Sequence, residues 1–178
     1  YTQDHFGTGN PGGYKLFKNG WTLTENGSTD TGAGASTNML LFGGAANMGS
    51  VGSHTVVLDK SDAGTGWAFA RVDARSAYTS TATATRALRY FVHFKKAASP
   101  DYLVVYDDAA SSAAKTIGQN LHYDKTSGQA SSITHVKPDI VWTGTNRRVS
   151  SKLVLPAGDG VALTSTSLTD SFRENVCA

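Results

Sequence analysis

Residues 86–108, RALRYFVHFKKAASPDYLVVYDD, constrain the fold of this chain more than any other stretch. Leu88, Tyr90, Val92 and Phe94 alternate with Arg89, Phe91, His93 and Lys95, which is the two-residue period of a half-buried strand. A Ser-Pro-Asp turn follows, and then a denser apolar run from Tyr102 to Tyr106. Two long strands joined by a short turn make a hairpin, and a hairpin holds in water only when one of its faces is covered by another layer. The stretch therefore predicts a layered protein built from strands.

The rest of the chain repeats that signal in shorter pieces. Runs at 14–18 and 21–24 flank Asn19-Gly20, the strongest two-residue hairpin dipeptide. Further strands are expected at 38–42, 54–59, 67–73, 115–123, 131–136, 139–143, 148–155 and 161–166. Pro138 and Pro156 sit where strands begin or stop, because proline cannot donate to a ladder. The segments 25–37, 43–53 and 60–66 read as small-residue loops or turns. Residues 109–114 tolerate a helix but are too short to hold one alone. The expectation is a single all-β domain over 1–178, an antiparallel two-sheet β-sandwich of roughly ten to thirteen strands.

Composition agrees with that architecture. The chain has 178 residues, enough to bury about 70% of its unfolded surface. Charged residues make up 17%, glycine occupies 19 positions, and seven Phe, seven Tyr and three Trp supply a core. A net charge of +2, with its 16 Lys and Arg scattered, gives no basic stripe for a nucleic acid. No apolar run approaches the roughly 18 residues of a membrane span. One cysteine, Cys177, excludes an internal disulfide. Asn26-Gly27-Ser28 is a glycosylation sequon in a secretory eukaryote, and the low charge leans towards an extracellular or cell-surface setting.

Chemistry is sparse. The five histidines, His5, His54, His93, His122 and His135, include no pair at a metal-binding spacing, and no cofactor motif is present. His5 stands out because it follows Gln3-Asp4 in a glycine-rich segment, where catalytic groups commonly live. Asp107 and Asp108 are adjacent on a strand, so their side chains point to opposite faces and cannot share a proton; one of them reads as a turn anchor. Trp21, Trp67 and Trp142 are candidates either for the core or for a carbohydrate-binding platform, since aromatic faces suit the C–H faces of sugar rings.

In order along the chain, QDHFGTGNPGGYKLFKNGWTLTENG, STNMLLFGG, RALRYFVHF with DYLVVYDD, and KTIGQNLHY resemble the C-terminal β-sandwich of heparinase II/III-like polysaccharide lyases, over residues 3–124. The resemblance implies a sandwich that, in that family, follows a helical toroid and supplies a catalytic His and Tyr and in some members a structural zinc. Asp4-His5 matches the start of the histidine motif. Gly7 stands where a second His is expected, Thr37 where the family has His before Asn38, and Glu25 or Asn26 at the aspartate ligand. Residues 27–36 contain no Tyr. Lyase chemistry needs a base, an acid and a group that neutralises the uronate carboxylate, and one histidine does not supply them.

Three functions follow from this reading. The first is a non-catalytic extracellular β-sandwich acting as a structural or assembly unit, a surface or filament subunit that self-associates by strand addition, with residues 160–171 as a candidate donor strand. The second is a fragment of a polysaccharide lyase acting on acidic glycans, with His5 as its catalytic group. The third is a carbohydrate-binding module that uses Trp21, Trp67 or Trp142 on a polysaccharide.

Overall fold

The computed structural model describes residues 12–14, 16–18, 21–24, 38, 40–43, 57–78, 83–95, 101–119, 132–136, 139–144 and 147–152. These residues form an all-β protein. Eleven strands run in the order β1 (Leu16–Lys18), β2 (Trp21–Thr24), β3 (Leu40–Phe42), β4 (Val57–Gly64), β5 (Trp67–Asp73), β6 (Ala84–Phe94), β7 (Tyr102–Ser111), β8 (Ile117–Gln119), β9 (Ser132–Val136), β10 (Asp139–Gly144) and β11 (Arg147–Lys152). One short 3-10 turn, Arg75–Tyr78, links β5 to β6. Every pairing is antiparallel: β1-β2, β3-β8, β11-β10-β9 and the largest sheet, β4-β5-β6-β7.

The hairpin expected at 86–108 is β6-β7, and it is longer than the apolar pattern alone suggests. β7 runs on through Asp107 and Asp108 to Ser111, so neither aspartate anchors a turn. The stretch 109–111 that tolerates a helix is strand, because Ala109 and Ala110 pair with Ala87 and Arg86 and the ladder overrides a weak local preference. Likewise β4 extends to Gly64, and the turn expected over 60–66 shrinks to Thr65-Gly66, with Gly66 at φ 81°. Predicted strands at 14–18, 38–42, 54–59, 115–123 and 148–155 are described only in part, and the one at 161–166 lies outside the described residues.

The core sits at one end of the four-stranded sheet. Leu40, Phe42, Ala74, Ala77, Tyr78, Ala84 and Ala87 are buried together, with Leu41 and Ala109 packed against them. Four alanines let the 3-10 turn come close to β6: Ala74 N donates to Ala87 O at 2.9 Å. Tyr78 fills the remaining space, its ring 5.1 Å from that of Phe42 and its hydroxyl donating to Leu40 O at 2.7 Å. A buried tyrosine hydroxyl needs such a partner. The bond ties β3 to the large sheet.

Alternation gives the large sheet two unlike faces. Ala87, Arg89 and Phe91 on β6, opposite Ala109, Asp107 and Val105 on β7, form the inner face. Tyr14 covers part of it, edge-on to Phe91 with ring centroids 5.5 Å apart. The outer face carries Trp67 and Phe69 of β5, Tyr90, Val92 and Phe94 of β6, and Tyr102, Val104 and Tyr106 of β7. The unbroken apolar register of the sequence is thus the more open face, and the register interrupted by an arginine is the buried one.

Candidate functional site

The inner face is organised around Arg89, which is 2% exposed. It stands directly across from Asp107 in the ladder. Its Nε donates to Asp107 Oδ1 at 2.7 Å and its Nη2 to Asp107 Oδ2 at 2.9 Å, the parallel two-pronged pair that suits a planar guanidinium. Nη1 donates to Gly12 O at 2.9 Å and to Asn38 O at 2.8 Å. Burial works against the charge of Arg89, but the hydrogen bonds and charge of Asp107 outweigh it and hold the guanidinium above its ordinary value. Phe91 lies 6.0 Å below the same group.

Two neighbours complete this hub. Asn38 is fully buried and donates from Nδ2 to Tyr14 O at 2.8 Å, fixing the segment that crosses the inner face. Gly12 has φ +70°, and a Cβ there would lie 3.2 Å from Arg89 Cδ, so the backbone needs glycine both for its conformation and for its approach. Four hydrogen bonds, two of them to backbone carbonyls, bind three distant segments into one knot. Its groups are spent on one another, and what this arrangement does chemically is hold the fold.

The outer face is open. Tyr102, Tyr106, Val104, Phe94 and Trp67 are exposed, Trp67 at 39% and Tyr102 at 54%. Trp67, Phe94 and Tyr102 are register partners in one row across β5, β6 and β7. The next row is Phe69, Val92 and Val104, and the row beyond holds Tyr90 and Tyr106, with centroids 5.6 Å apart and Phe69 6.5 Å from Tyr90. The indole of Trp67 occupies the place where a Cβ on Gly64 would sit, so it lies over the β4 backbone. The two arginines on this face are closed into pairs, and Lys60 is exposed across from Arg71. Arg71 binds Asp59, the residue at the β4 bulge, and its guanidinium is 5.8 Å from the Tyr90 ring. That hydrogen bond to Asp59 raises Arg71 above its ordinary value. Arg86 donates to Asp108 at 2.7 Å, half exposed.

Of the residues singled out from the sequence, Trp67 is on the outer face and not in the core. His5 lies outside the described residues, as do the positions 7, 25, 26 and 37 of the lyase-like motif; so do the side chains of Trp21 and Trp142, on β2 and β10. His93 is partly exposed with Nε2 3.9 Å from Asp101 Oδ2. Among the described residues no three His, Cys, Asp or Glu converge as a metal site would require, and no helix is long and apolar enough to cross a membrane. Sequence reasoning missed Arg89 and Asn38. The available signal was an arginine in register between Ala87 and Phe91, facing an aspartate in the partner strand. No family model, curated protein or solved structure matches the chain.

Proposed function

We propose that this chain is a non-catalytic extracellular β-sandwich that serves as a structural or assembly unit, joining copies of itself by strand addition along β7. The observation that carries the reading is the use made of the hairpin's charged residues. Arg89 is a group suited to neutralising a substrate carboxylate, and it is instead buried in bonds to Asp107 and to two backbone carbonyls. Catalysis needs a charged group free to meet a substrate; a folding unit needs the opposite.

The two edges of the four-stranded sheet differ in a way that favours β7 as the joining strand. β4 carries a bulge together with Asp59, Lys60 and Asp62, devices that blunt an edge. β7 is ten residues long and has a hydrogen-bonded neighbour on one side only among the described residues. A second β7 laid alongside it would continue both the ladder and the aromatic face.

Sedimentation and electron microscopy of the purified chain over a range of concentrations test the reading. Dimers or ordered polymers that grow with concentration are expected. A monomer at every concentration, or release of ultraviolet-absorbing unsaturated uronates from an acidic glycan by the chain alone, overturns it.

A further inference from the structure

The outer face of the four-stranded sheet has a composition and a size that point to a ligand other than a second copy of the chain. Its aromatic part spans three strands and about six residues, roughly 14 Å by 20 Å or about 300 Å² of plane from the strand spacing and rise. A standard protein interface takes about 800 Å² from each partner. Half that area or less suits a chain-like ligand lying along the strands. The side chains are Trp67, Phe94 and Tyr102 in one row, Phe69, Val92 and Val104 in the next, and Tyr90 and Tyr106 in the row beyond, mixing flat apolar faces with phenol hydroxyls.

The chemistry of such a ligand follows from two further details. Trp67 rests against Gly64, and its 39% exposure leaves part of the residue open to solvent. The negative face of an aromatic ring attracts weakly positive C–H groups, and the flat face of a pyranose presents a patch of them ringed by hydroxyls. Both arginines that share the face are already paired, Arg71 with Asp59 and Arg86 with Asp108, and Lys60 on β4 is the one exposed lysine on it among the described residues. No cluster of arginine or lysine remains on it, among the described residues, to select carboxylates or sulfates.

We infer that the outer face of β5, β6 and β7 is a binding site for an uncharged polysaccharide, with Trp67 and Tyr102 as its stacking platforms and Gly64 as the residue that lays Trp67 flat. The site uses the side chains on the outer face of β7 and self-association uses the backbone of the same strand, so binding and self-association are read separately for each variant.

The test is gel retardation and calorimetry of the whole chain with hydroxyethyl cellulose, xylan and mixed-linkage β-glucan, beside alginate and heparin. At least one uncharged polymer is expected to bind, with the acidic ones tenfold weaker or silent. Trp67→Ala and Tyr102→Ala each weaken binding tenfold or more with an unchanged circular dichroism spectrum. Gly64→Ala, which keeps every aromatic but displaces the indole, weakens it severalfold. No binding to any uncharged polymer, tighter binding to the acidic ones, or binding that survives both aromatic substitutions overturns the inference. Sedimentation of the same variants reports self-association independently.

Discussion

Arg89 on β6 and Asp107 on β7 face each other in register and close a two-pronged ion pair whose remaining donors reach Gly12 O and Asn38 O. The neighbouring pair, Arg86 and Asp108, uses the same residue types on the other face of the same hairpin, but in water. One hairpin thus contains a buried and an exposed version of one interaction.

Removing Arg89 leaves a carboxylate and two carbonyls without partners in a dry place. Arg89→Leu is expected to cost about 3–5 kcal/mol, the usual penalty for breaking one side of a buried pair. Arg86→Ala is expected to cost less than about 1 kcal/mol. Denaturant midpoints of the two variants measure the difference, and equal midpoints contradict it.

Tyr78 supplies a pH dependence. Burial pushes its phenol above the ordinary value of 10.0, while the charge of Arg89 pulls the other way. The unfolded chain releases this proton at lower pH than the folded one, so the unfolded state gains as pH rises. Stability linked to Tyr78 is complete below about pH 10 and is lost above it. Tyr78→Phe is expected to be less stable at neutral pH through loss of the bond to Leu40 O, by about 1 kcal/mol. Its decline above pH 10 should be shallower than that of the parent, as urea unfolding in alkaline buffers will show.

Gly12 and Gly66 both hold positive φ, at +70° and +81°. Alanine at either costs about 1–2 kcal/mol for the conformation. An added methyl also meets Arg89 Cδ at 3.2 Å at Gly12 and Lys95 O at 3.2 Å at Gly66. The two substitutions should therefore destabilise by similar amounts, and only the effect of Gly12→Ala should shrink in an Arg89→Ala background. A double-mutant cycle on thermal midpoints reads that coupling.

Val104 lies near the start of β7 and is 50% exposed. Val104→Lys is expected to change stability by no more than about 0.5 kcal/mol. The same lysine should lower self-association at least tenfold, because an edge lysine opposes a second strand. Sedimentation equilibrium at several loadings measures it, and an unchanged association constant removes β7 from the interface.

The strands and their antiparallel pairing were legible in the alternation of 86–108 and in the Asn-Gly and Gly turn signals. The choice of face was not. Tyr90, Val92 and Phe94 look like the side to bury, yet Arg89 is on the buried side, because its charge is answered by Asp107 in the partner strand and by carbonyls far away in sequence. Periodicity reports spacing and is blind to such compensation. The extension of β7 through Asp107 and Asp108 was hidden for the same reason: two aspartates look like a stop until their arginines are seen. Trp67 read as a core residue or as a sugar platform, since its position over Gly64 depends on a cross-strand partner. The lyase-like histidine segment around His5 lies outside the described residues.

The reach of the Arg89 fork has a consequence for the order of events during synthesis. Its two carbonyl partners are separated from it by 77 and 51 residues. A chain leaving the ribosome exposes Gly12 and Asn38 long before the guanidinium that will bind them exists. β1 and β2, like β6 and β7, are neighbours in sequence and can pair as soon as they emerge. Gly12 and Asn38 are different: both are fixed to the large sheet only after its central hairpin exists.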